Sequence, residues 1–209
     1  MPRTPGGPKA SERGSGAEVN LASRWLVLVG YVAAIYVSLP FGPRVGLAFL
    51  RTAPGAWLLG PGVTVLAVAG AGALMLGLWR RRAPLWAYAA LAGAGAVYAL
   101  AFSWLRAQHL ERTHLPEYGI AAWLAWRALD PLLPGRFAAY AAAAGLAAAI
   151  GYGDELLQDL LPGRYYDLRD VALNALGAVL GALVLAAARA RRTPVEPSRP
   201  DARRVSAGS

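Results

Sequence analysis

Between residues 22 and 188 the chain returns repeatedly to apolar runs of roughly fifteen to twenty residues, parted by short polar or basic pieces. A helix needs about 20 apolar residues to cross the ~30 Å hydrocarbon core, where its backbone must satisfy its own hydrogen bonds. The pattern therefore predicts an all-α, polytopic helical membrane protein. Composition agrees, at 56% hydrophobic and 16% charged residues. The absence of cysteine excludes disulfides, thiol catalysis and cysteine-ligated zinc. A net charge of +9 would suit nucleic acid, yet the basic residues sit in tails and in short loops between apolar runs. Membrane orientation demands that placement, so no nucleic-acid partner is expected.

Along the chain, residues 1–22 are rich in Gly, Pro, Ser and charge and are expected to be a disordered cytoplasmic lead. The first apolar run lacks a clean small-x-small cleavage site and reads as an uncleaved span rather than a signal peptide. Six spans are predicted: 22–39, 61–79, 84–105, 115–129, 137–152 and 171–188. Residues 41–60 are too interrupted by Pro43, Arg51, Pro54 and Gly55 to cross, and Phe49 and Trp57 suit an interfacial segment. The first three spans fall in 23–105. The last three form a core region, 106–189, before a basic tail, 190–209, expected to be disordered. The fourth span is short, about 22 Å at the helical rise, and a re-entrant segment is the alternative.

Arginine placement decides between these. With the N-terminus inside and six crossings, fifteen of the 21 basic residues fall inside and six outside. A re-entrant fourth segment would put the basic C-terminus outside, against that bias. Both termini are therefore expected in the cytoplasm of an inner (cytoplasmic) membrane protein. Two polar groups, 106–119 and 153–170, then share the outer side with seven of the 12 acidic residues and both histidines.

Polar residues beside apolar spans are a functional-site hypothesis by default. In the sequence THLPEYG, Pro116 suits a first helical turn, and His114, Glu117 and Tyr118 at i, i+3, i+4 point the same way. The plain alternative is a capped helix start with an interfacial tyrosine. In GDELLQD, Asp154 and Gln158 share a helix face, with Glu155 about 100° round. Two carboxylates at a helix C-terminus oppose its dipole, so helix stability does not account for them. Close carboxylates repel each other's ionised forms, the usual origin of an acid/base pair; the same pair suits a cation or Arg164. Arg164 is either a snorkelling arginine or a bidentate clamp on phosphate or carboxylate. Asp167 suits the N-cap of the last span, and Asp170 suits its first turn. Asn174 shares a stripe with Gly177 and Gly181, whose GxxxG spacing permits close helix contact. Asn174 is expected to bond across that interface more than to touch a substrate. His114, Glu117, Asp154 and Glu155 together form a carboxylate-rich set compatible with Mg²⁺, Mn²⁺ or Zn²⁺, but no metal motif is present and no cofactor is expected.

These residues, in order, resemble the VanZ-like family of membrane proteins. The resemblance rests on His114, Glu117, Tyr118 and Gly119, then Asp154-Glu155-x-x-Gln158, Pro162-x-Arg164, Asp167, Asp170, and Asn174-x-x-Gly177 with Gly181. It covers roughly residues 106–186. Arg112 stands where the family often has a lysine before its histidine. The resemblance implies a multi-pass bacterial membrane protein of the cell envelope, linked in the family's namesake to tolerance of the glycopeptide teicoplanin, an antibiotic-resistance role.

Three functions follow as expectations. In the first, the outer cluster binds or modifies a lipid-linked or cell-wall molecule among the membrane lipids. Glu117, Asp154 and Glu155 are then the acid/base candidates, and His114, Tyr118, Gln158, Arg164, Asp167, Asp170 and Asn174 the binding candidates. In the second, a structural or assembly protein pairs these residues with one another. The third is a small proton-coupled transporter, which would want more polar groups at mid-depth than Asn174 supplies.

Overall fold

The computed structural model describes residues 10–104 and 113–191, with side chains from residue 20 onward except at 59 and 60. Among the described residues the regular structure is entirely helical: α1 (Ala10–Ser38), α2 (Gly42–Leu50), α3 (Ala53–Trp57), α4 (Val63–Arg80), α5 (Leu85–Trp104), α6 (His114–Leu129), α7 (Arg136–Asp159) and α8 (Leu168–Ala188). A π-helical turn, Leu58–Gly62, carries Pro61 and leads from α3 into α4. The expected spans correspond to α1, α4, α5, α6, α7 and α8, and the interrupted stretch 41–60 becomes α2, α3 and most of the π turn. His109 and the tail beyond residue 191 lie outside the described residues.

Two boundaries move. α1 starts at Ala10, inside the expected lead. α7 continues past residue 152 to Asp159, since nothing in Gly153–Asp159 breaks a helix until Pro162-Gly163 turns the chain. Gly163 takes φ +78, a left-handed conformation that glycine adopts without a Cβ penalty. The acidic sequence Asp154-Glu155 is thereby fixed on rigid helix.

Burial is distributed in a way that hydropathy does not show. Four helices are long and apolar enough to cross a membrane: Asn20–Ser38 of α1, then α4, α5 and α8. Of α4 only Leu78 is buried, so its apolar surface faces outward. α6 is shorter and less apolar, yet it buries Leu115, Tyr118, Ala121, Ala122, Leu124, Ala125, Trp126 and Ala128. It packs chiefly on α8 and α7, with α1 on its remaining side. A helix sheathed by other helices need not match lipid, which explains why its composition is mixed.

The α6–α8 seam is built on glycine. A Cβ on Gly181 would fall 2.5 Å from Gly119 Cα, and one on Gly177 would fall 2.6 Å from the Leu115 carbonyl oxygen. Backbone meets backbone there, as small-residue interfaces in membranes allow. α7 joins at Gly151, where a Cβ would lie 2.6 Å from Asn174 Cβ. This close three-helix contact fixes where the polar side chains at its end must point.

Candidate functional site

At one end of the core, the starts of α6 and α8 meet the end of α7. A cavity of about 620 Å³ opens there. His114 and Glu117 line it from α6, Asp154 and Gln158 from α7, Arg164 and Asp167 from the α7–α8 connection, and Asp170 from α8. Seven of the ten residues singled out in the sequence thus converge on one space. The other three sit behind the wall: Tyr118, Glu155 and Asn174 are fully buried.

The wall is held by bonds between polar side chains. Tyr118 Oη donates to Asp154 Oδ2 at 2.8 Å. Arg164 Nη2 donates to Gln158 Oε1, and Gln158 Nε2 donates to Glu155 Oε1 at 3.1 Å. Arg164 is therefore bound to an amide rather than to a carboxylate, although its charge, like those of Asp154 and Asp170, is felt at Glu155. Asn174 Nδ2 donates to the Gly151 carbonyl at 3.0 Å, tying α8 to α7. Asp167 is extended (φ −123, ψ 112) and caps α8 by accepting from Arg169 N at 2.8 Å. His114 stacks parallel to Tyr118, with centroids 6.3 Å apart.

Some buried atoms find no partner among the described residues, including Asp154 Oδ1, Glu155 Oε2 and His114 Nδ1. Buried polar groups are almost always hydrogen-bonded, so each such atom asks for a reason. For Asp154, 1% exposed, the geometry offers one. Tyr118 fixes one oxygen, the other has no partner among the described residues, and the residue borders the cavity. Among the described residues, no three His, Asp or Glu side chains are grouped as a metal ion would require.

The first helix supplies what the sequence reading passed over. Ile35, Ser38, Leu39, Gly42 and Pro43, from the end of α1 and the start of α2, line the cavity opposite the acids. Tyr31 Oη donates to the Glu117 carbonyl at 3.1 Å and Tyr36 Oη to the Ile150 carbonyl at 2.8 Å. A tyrosine four to five residues from the next inside an apolar run looks like a lipid-facing residue, and only its partners show that it docks α1 on the core. Tyr165 and Tyr166 also border the cavity.

The VanZ/LLP1 family model matches residues 63–189. The chain belongs to the VanZ/LLP1 family. The match takes in α4 and α5 as well as the core, so it is wider than the residue-by-residue likeness over 106–186. It omits α1 and α2, which complete the cavity. No curated protein and no solved structure matches the chain. For a VanZ/LLP1 protein, the apolar helices make membrane residence the natural reading.

Proposed function

We propose that this VanZ/LLP1 protein crosses the bacterial inner membrane six times, both termini inside, and that its outward cavity binds the polar head of a lipid-linked or cell-wall molecule. One observation carries the reading: Asp154 lines the cavity, is held by Tyr118, and keeps a second, buried oxygen for which no described residue is a donor. Four lining residues are acids (Glu117, Asp154, Asp167, Asp170) and one is arginine (Arg164). That balance favours a head rich in hydroxyl or amine donors, with Arg164 taking an anionic group. The apolar wall of Ile35, Leu39 and Pro43 gives the attached chain a way towards the lipid. If the head is modified as well as held, Glu117 and Asp154 are the groups placed to move a proton, with Glu155 behind them.

The test is complementation in a strain whose loss of the protein produces an envelope-stress phenotype, teicoplanin sensitivity included. Alanine at Glu117, at Asp154 and at Glu155 is expected to abolish rescue at normal protein levels. Mass spectrometry of the purified protein should show a lipid that Asp154→Asn loses. Full rescue by all three variants would sink the reading.

The bonds Arg164–Gln158–Glu155 and Asn174–Gly151 also favour a second reading, a non-catalytic assembly protein whose polar residues serve one another. In that case Arg164→Ala lowers the melting temperature of the detergent-purified protein, and no lipid is lost with Asp154→Asn.

A further inference from the structure

The opposite end of the same three helices holds a second concavity, of about 390 Å³. Arg81, Trp126, Asp130, Arg136, Tyr140, Arg189 and Arg191 line it. Four guanidiniums thus face one carboxylate. Arginines at the inner ends of spans are ordinary orientation signals, so the ones with another role must be set aside first. Arg81 has one: its Nη1 donates to the Ala188 carbonyl at 3.1 Å and caps α8. Arg189 lies 4.2 Å over the Trp126 ring and covers it. Arg136 and Arg191 have none, since both are exposed and neither hydrogen-bonds another described residue.

Three features of the recess favour an anion over mere surface charge. Trp126 is 7% exposed, and its indole N–H has no acceptor among the described residues. α7 begins here at Gly135 with no side-chain cap and no acid in its first turn. Its first N–H groups and the positive end of its dipole are therefore available to a negative group. Arg136, as the first residue of α7, stands beside those N–H groups. The walls are aromatic, with Tyr140 stacked on Trp126 at 6.0 Å, and such a pair suits the level of lipid headgroups.

We propose that this recess is a phosphate-binding site, built by Arg136, Arg191 and the start of α7, and that it takes the phosphate of an anionic lipid headgroup or a free phosphate. A guanidinium meets phosphate bidentately, and basic pockets between membrane helices hold phosphate heads in this way. The site is independent of the acidic cavity, because the two lie at opposite ends of α6, α7 and α8.

The experiment reconstitutes the full chain in phosphatidylcholine nanodiscs and follows the melting temperature. One series raises the fraction of phosphatidylglycerol, and a parallel series adds inorganic phosphate to pure phosphatidylcholine discs. A saturable rise with phosphatidylglycerol is expected. The double variant R136Q/R191Q should need about 25-fold more lipid for half the effect, from about fivefold per arginine removed. R44Q/R51Q, which removes the same charge elsewhere, should leave the midpoint in place. Saturation by inorganic phosphate, lost in the same double variant, would assign the site to free phosphate. R136K/R191K, which keeps both charges, guards against misfolding and should retain part of the effect. An unsaturable rise, or equal losses in the two glutamine variants, would overturn the site and leave the arginines as orientation signals only.

Discussion

The two ends of the α6–α7–α8 core solve opposite problems. At the acidic end, Asp154, Glu155, Gln158 and Asn174 are buried, and most are tied to a tyrosine, an amide or a backbone carbonyl. At the basic end the charged groups are exposed arginines arranged round a buried tryptophan and a half-buried tyrosine. The same seam of Gly119, Gly177 and Gly181 lies between them. Buried polar groups cost stability unless they are satisfied, so the acidic end has its geometry fixed in advance. Exposed guanidiniums cost little and wait for a counter-charge. On the proposed reading the first end discriminates between ligands and the second responds to charge.

Substitutions can break or sharpen that contrast. The largest effect is expected at the shared seam. Gly181→Leu drives a side chain into the Gly119 backbone, which cannot rotate away, and should cost about 3 kcal/mol or more in detergent unfolding. Both ends should lose their ligands together. Asn174→Leu acts on the acidic end alone, removing the side-chain bond that ties α8 to the Gly151 carbonyl and forcing a branched chain into a close contact, at a cost of about 1–3 kcal/mol. Phosphatidylglycerol should still stabilise that variant. Tyr118→Phe frees Asp154 Oδ2 from its donor for a similar or smaller cost, about 1–2 kcal/mol, and co-purified lipid should fall more than stability does. Arg136→Gln should change unfolding in phosphatidylcholine by no more than about 0.5 kcal/mol. A large loss there would mean the basic end is structural too.

How much of this was legible in the sequence differs between the same regions. α4 and α5 announce themselves by apolar length, with most of their surface turned outward, and α8 does so too although it is the most buried of the candidate spans. α6 is identified as a span by position and charge bias more than by apolarity, since its environment is protein. The residues of the acidic cavity were legible because charge beside apolar spans is costly and therefore informative. Their division was not. Glu155 is one position from Asp154 yet lies behind the wall, and only the rotation of α7 against α8 decides that. Asn174 could be assigned to an interface, though not to the Gly151 carbonyl. The contribution of α1 was hidden, because Tyr31 and Tyr36 in an apolar run look no different from lipid-facing residues. The basic recess was hidden more deeply. Arg136, Arg189 and Arg191 counted only as orientation signals until they proved to line one recess with Trp126.

On the proposed topology the acidic cavity faces out and the basic recess faces in. A chain without cysteine allows a direct measurement. Single cysteines replace Tyr165, an exposed residue at the cavity rim, and Arg82, an exposed residue of the α4–α5 turn. Intact cells are then treated with a membrane-impermeant maleimide. Tyr165→Cys should label at once and Arg82→Cys only after the membrane is opened. Labelling of Arg82→Cys alone on intact cells would contradict that topology and move the acidic cavity to the cytoplasm.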